Sequence, residues 1–161
     1  LRRQRQMCIR DSFDAAAAKQ DIIDRTNALR CENGVAALTV NEKLMQAAQV
    51  RAEEMAASGV YSHTRPDGRK YTTVTDYKYI GENIHLIGEW QIRDSSLPSF
   101  AVEAWKNSAA HLKNMLNTRY HEIGVGVSQG TVMGEPYWYC VQLFLLDGYN
   151  VTWVDAPAAK G

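Results

Sequence analysis

Apolar residues recur at helical spacing through the first part of the chain and then switch to a strict alternation. Over residues 15–30, Ile22, Ile23, Thr26 and Leu29 share roughly one face, Asp14 can cap the start, and Asn33-Gly34 ends the run. A second helix follows, with Thr39 and Glu42 fitting a capping box, Leu44, Ala48 and Met55 at helical spacing, and Gly59 as the stop. The stretch from 61 to 80 carries His63 and then Arg65-Pro66-Asp67-Gly68, which is turn chemistry and predicts a loop. Phe100, Ala101, Ala104 and Trp105 give a third apolar face, with Trp105 expected in the core. A short fourth helix is predicted from a Ser108 cap through His111, Leu112, Met115 and Leu116.

The period then becomes two. Ile123, Val125 and Val127 alternate with Gly124 and Gly126, a strand with one bulky face and one face open to close approach. In residues 137–145 both alternating sets are apolar, Trp138, Cys140 and Phe144 on one side, Tyr139, Val141, Leu143 and Leu145 on the other. Such a strand must be covered on both faces. The short linker at residues 128–136, with its glycines, predicts an antiparallel hairpin. A mainly antiparallel sheet with helices on both faces follows: an α+β fold, a three-layer α/β/α sandwich.

With 161 residues the chain suits a single domain. No apolar run is long enough to form a transmembrane segment, and a net charge of zero without a basic stripe argues against nucleic acid as a partner. Residues 1–12 (LRRQRQMCIRDS) stand apart, lacking hydrophobic period, turn chemistry and the shape of a signal peptide. Back-translated, they fit the mosaic end of a transposase sequencing adapter, so they are read as a translated adapter; the alternative is a native basic leader. On the adapter reading, residues 13–161 form the domain, 14 basic and 17 acidic residues remain, and any export signal would be missing. Cys31 and Cys140 then remain, either as two thiols or as one disulfide, the free buried thiol being the simpler reading of Cys140.

Two of the four histidines, His63 and His111, sit where a site is readily built, after a helix end and on a short helix. No short-range metal or nucleotide motif accompanies them, and alone each is more often a surface or hydrogen-bonded residue than a ligand.

Several segments in fixed order carry more information: Asn27-Ala28-Leu29-Arg30, LTVNEKL at 38–44, SHTRPDG at 62–68, Gly81-Glu82-Asn83-Ile84, WKNSAAHLKNML at 105–116, YHEIGVG at 120–126 and the strand from Tyr137. Together they resemble the bacterial branch of the CAP superfamily (cysteine-rich secretory proteins, antigen 5, pathogenesis-related 1; the SCP domain) over about residues 15–146. The resemblance implies the same sandwich, an extracellular or cell-envelope location, and one cleft containing His63, Glu82 and His111. Eukaryotic members usually place a second glutamate where this chain has Ser108. Two histidines and a carboxylate suit a weakly bound divalent cation such as zinc, with Glu82 also the candidate catalytic base. Asn83, Arg65 and Ser108 are the remaining candidates for ligand contact. Each has a structural alternative: a turn amide, a charge in a rigid turn, and a helix cap. The resemblance implies a non-catalytic domain binding a metal ion, a small ligand or an envelope component. The competing reading is a metal-assisted hydrolase or peptidase, and a third is a structural domain with a vestigial site.

Overall fold

The computed structural model describes residues 13–146. The reading of residues 1–12 therefore concerns positions outside the described residues. The elements run α1 (Ala15–Glu32), β1 (Thr39–Val40), α2 (Glu42–Ser58), a 3-10 turn (Tyr71–Val74), β2 (Ile80–Gly88), α3 (Glu89–Ile92), α4 (Leu97–Lys106), α5 (Ala109–Met115), β3 (Tyr120–Val132) and β4 (Glu135–Leu146). The sheet order is β1-β3-β4-β2; only the β1/β3 pair is parallel.

Strand β4 has the two apolar faces expected of it. Tyr139, Val141, Leu143 and Leu145 pack with Leu44, Ala48 and Met55 of α2. Trp138, Cys140 and Phe144 pack in a second core with Ile22 and Ile23 of α1 and Trp105 of α4. The glycine face of β3 lies against α2, where a side chain on Gly126 would meet the Ala48 carbonyl at 2.2 Å. The β3/β4 hairpin is tighter than its linker suggested. Both strands extend into it, and Met133 and Gly134, with φ of 51° and 83°, close a two-residue turn.

Helix starts follow local chemistry. Asp14 accepts from the Ala17 amide at 3.0 Å, as expected. For α2 the cap is not Thr39, which pairs in β1, but Asn41, which accepts from the Leu44 amide at 3.0 Å. Asn41→Ala should cost about 1 kcal/mol in thermal unfolding, a typical N-cap loss, while Thr39→Ala should change stability less. Gly59 closes α2 in the left-handed region at φ 72°. Cys31 and Cys140 are unpaired, one exposed and one buried, and burial pushes the Cys140 thiol up to about 12.

The sequence pattern did not reveal β2. This edge strand contains the Gly-Glu-Asn-Ile segment, which was expected in a turn. Its even residues face the α2 core and its odd residues the α1/α4 core, as Ile84 and Ile87 show. The outward carbonyls of an edge strand need donors or water. Here side chains supply them: Tyr71 Oη donates to the Ile80 carbonyl, Asn114 Nδ2 to that of Glu82, and both Tyr61 Oη and Trp105 Nε1 to that of Ile84. Beyond the short β1, Gln49 of α2 covers β3 in the same way, bonding both the amide and the carbonyl of Val127.

Candidate functional site

The alternation of β2 sends Glu82 and Asn83 into opposite layers, and each holds one histidine-bearing segment. Glu82 points toward α2 with its side chain fully buried. Its Oε2 accepts from Arg51 Nε at 2.7 Å, and its Oε1 from Arg51 Nη2 at 3.2 Å. Oε1 also lies 2.8 Å from His63 Nδ1. Arg51, equally buried, donates further to the Ser62 carbonyl at 2.6 Å and to Glu54 at 2.8 Å. Glu54 in turn receives Arg65, whose Nε and Nη2 both approach its carboxylate at 3.0 Å.

The charges thus alternate from Arg65 through Glu54 and Arg51 to Glu82, fastening the His63 loop to α2 and to the strand. Burial works against charge on Glu54, but the hydrogen bonds from Arg65 and Arg51 outweigh it and hold this carboxyl below the usual range. Desolvation likewise opposes the Arg51 charge and is outweighed by Glu82 and Glu54, so that its pKa is raised.

Asn83 points the other way. Its Nδ2 donates to the His111 carbonyl and to Gln142 Oε1, both at 3.1 Å, and its Oδ1 accepts from Asn114 at 2.9 Å. Gln142 continues to Thr26 of α1 at 2.8 Å, so α5 is tied by a polar relay to the centre of the sheet. Arg30 of α1 fixes the segment after α5, donating to the carbonyls of Met115, Asn117 and Tyr120. Asn83 is thus a strand residue rather than a turn amide, and it anchors the backbone of α5.

The His63 and His111 imidazoles lie within electrostatic reach of each other. The His63 side chain is 54% exposed and lies edge-on to Tyr71, ring centroids 5.9 Å apart. Burial, and after it the charge of His63, hold the His111 imidazole below its ordinary pKa. His85, one strand pair further on, is lowered first by burial and then by His111, and it stacks on Phe100.

A carboxylate oxygen of Glu82 accepts from His63 when the ring carries its hydrogen on Nδ1, and in that tautomer Nε2 keeps a lone pair for a ligand. Of the other expected residues, Arg65 is spent on Glu54. Ser108 occupies the cap position of α5, but its side chain makes no cap hydrogen bond. Asp67 pairs with Arg69 within the expected turn.

Arg51 and Glu54 escaped the sequence reading. The signal was an arginine on the same buried stripe as Leu44, Ala48 and Met55, where an unpaired charge is untenable. Among the described residues no group of three His, Cys, Asp or Glu side chains is placed to hold a metal ion. His63 is exposed and His111 half-buried, two imidazole donors of the kind that an open site completed by water would use rather than a closed one.

Comparison with known proteins agrees with this architecture. The family model described as the cysteine-rich secretory protein family, CAP, matches residues 23–144. The uncharacterized protein YkwD of Bacillus subtilis (strain 168) is 29% identical over 128 residues, covering 76% of this chain and 47% of that protein. The uncharacterized membrane protein YlbC of the same organism is 30% identical over 120 residues, covering 70% of this chain and 32% of that one. The chain therefore spans less than half the length of these relatives. An extracellular SCP-domain protein from Bacillus anthracis str. Ames superposes with a TM-score of 0.66 at 24% identity, over 83% of this chain and 41% of that one. An outer surface protein from Borrelia burgdorferi superposes with a TM-score of 0.64 at 16% identity, over 84% of this chain and 97% of that one. With a family match spanning most of the chain and the sandwich in place, this protein belongs to the cysteine-rich secretory protein (CAP) family.

Proposed function

We propose that this CAP domain is a non-catalytic, extracellular or envelope-facing binding module whose His63 and His111 receive a hydrated divalent cation such as zinc, or a small ligand in its place. The observation that carries the reading is the Arg51/Glu82/His63 chain. A buried carboxylate, itself held by an arginine, orients an exposed imidazole so that Nε2 faces outward. A cation bound there would supply Lewis acidity and a fixed positive charge. The protein's own part is to present two imidazoles from opposite layers across one strand edge and to set the His63 tautomer.

On this reading Glu82 serves to orient His63 rather than to activate water. Both its oxygens are engaged by Arg51, and removing that partner would leave a buried charge uncompensated. The location rests on the extracellular and outer-surface proteins that share the fold. No helix among the described residues is long and apolar enough to cross a membrane.

Isothermal titration with zinc tests the reading. Binding is expected at neutral pH, lost in His63→Ala and in His111→Ala, with melting temperatures nearly unchanged because neither ring is core packing. Neutral imidazole is the ligand. The lowered pKa of His111 keeps that ring neutral to below the ordinary imidazole value of about 6.5, and affinity should fall as protons compete at more acidic pH. Zinc binding that survives the double replacement, or shows no acid sensitivity, overturns the assignment.

A further inference from the structure

A groove of about 1000 Å³ opens at the far end of the sheet from Glu82, between α3, the start of α4 and the beginning of β4. Glu82 pairs with Leu143 in the β2/β4 register, and Ile87 pairs with Trp138, which lines the groove. Five residues of strand separate the two places, about 17 Å.

The groove has an apolar floor and a polar rim. Leu97, Pro98 and Trp138 are buried beneath it, and Phe13 lies against Trp138 with ring centroids 4.3 Å apart. Trp90 forms one wall and is 59% exposed, the most exposed aromatic ring among the described residues. It is packed against the strand end all the same. The indole lies over the bare backbone of Gly88, where a Cβ would sit 2.4 Å from Nε1 and 2.9 Å from Cδ1. The rim carries Glu89, Arg93 and Gln129, all exposed and none engaged in an ion pair or side-chain hydrogen bond with another described residue. Arg93 adopts φ 45° and ψ −114°, a conformation costly for a residue with a side chain and concentrated at functional sites.

We infer that this groove is a saccharide-binding site, with the Trp90 indole as the platform for a pyranose ring and Glu89, Arg93 and Gln129 as partners for its hydroxyls. A pyranose in a β-1,4-linked chain presents a flat face of axial C–H bonds, slightly positive, which suits the negative face of an indole. Its rim of hydroxyls both donates and accepts, matching a carboxylate, a guanidinium and an amide. An aliphatic ligand would bury those three groups without partners. A polyanion would meet the carboxylates of Glu89 and Asp14, which also lines the groove.

The test uses the full chain with cellohexaose and N-acetylchitohexaose as probes, followed by titration calorimetry and by the indole N–H resonance of Trp90. At least one probe should bind in the millimolar range or tighter and shift that resonance. Trp90→Ala should weaken binding about tenfold or more, as loss of a central aromatic contact does. Gly88→Ala, which must dislodge the indole, should do the same without unfolding the protein, and Arg93→Gln and Glu89→Gln should each weaken binding. His63→Ala should bind saccharide as the unaltered protein does, and Trp90→Ala should bind zinc unchanged, so this site and the histidine site can fail separately. The proposal is overturned if neither probe moves the Trp90 resonance, or if Trp90→Ala, folded by circular dichroism, binds as before. It is equally overturned if sedimentation shows self-association that Trp90→Ala abolishes, since the groove would then belong to a second copy of the chain.

Discussion

Arg51→Met should lower the free energy of unfolding by about 3–5 kcal/mol, the cost of stranding a buried carboxylate. Both side chains of the Arg51/Glu82 pair are fully buried, and methionine fills much of the arginine's stem volume while removing every donor. Glu82 would keep only His63, and the Ser62 carbonyl and Glu54 would each lose a partner. Arg51→Met/Glu82→Leu should recover much of the loss, because an apolar pair of similar volume leaves no buried charge. Urea unfolding of the two single variants and the double variant measures this coupling. A loss under about 1 kcal/mol in Arg51→Met would mean that the pair is neither dry nor structural.

The same network has an acid limit. Glu54 is held below its ordinary pKa in the folded state, so its contribution is fully present above the unfolded value of about 4.3 and is lost as pH falls through the folded value. Arg51→Met removes one of the two arginines that lower it and should make the acid transition begin at a higher pH.

Gly126→Ala should destabilise the protein by about 1–3 kcal/mol or more, although the same substitution at an unstrained, open site commonly stabilises by up to about 1 kcal/mol. The added carbon would lie 2.2 Å from the Ala48 carbonyl oxygen and 2.5 Å from the Gln49 nitrogen. These are backbone atoms inside a helix, which no rotamer change can move aside, so α2 itself must lift away from β3. Gly124→Ala meets the Leu44 carbonyl carbon at 2.2 Å and should behave alike. Gly130→Ala, whose closest contact is the edge of the Tyr139 ring at 3.0 Å, is the milder control. Arg51 rides on α2, so lifting the helix should also loosen its grip on Glu82 and weaken the proposed zinc binding, with His63 and His111 untouched. Calorimetric unfolding together with zinc titration separates this from a local packing defect. A Gly126→Ala protein as stable as the original would mean that the helix and strand are not in contact.

How far the site could be read in advance differs residue by residue. His63 and His111 lie 48 positions apart with no local motif between them, and only the family resemblance placed them together. Glu82 was expected beside them as a ligand or base. In the fold it stands behind His63, because a residue in the middle of α2 claims both of its oxygens. Asn83 was weighed as a turn amide, since a strand whose even and odd positions serve two different cores shows no simple alternation. The Gly-Glu-Asn-Ile segment therefore gave no period-two signal, and β2 went unread.

Local chemistry and periodicity were enough for elements whose own side chains decide the matter. The apolar stripe of α2 and its Gly59 stop, the two-faced apolar run of β4 and the glycine alternation of β3 each state a covering layer, because burying such a face is the dominant favourable term in folding. The hairpin and the mainly antiparallel sheet followed from them. Tertiary structure alone decided what depends on partners distant along the chain: Asn41 rather than Thr39 as the α2 cap, once Thr39 was drawn into β1; the ion-pair chain from Arg65 to Glu82; and the anchoring of the His63 side chain and the His111 backbone to adjacent residues of β2. The physical reason is that a hydrophobic period is a property of one segment. A buried charge or a directed hydrogen bond, in contrast, takes its meaning from the group placed opposite it.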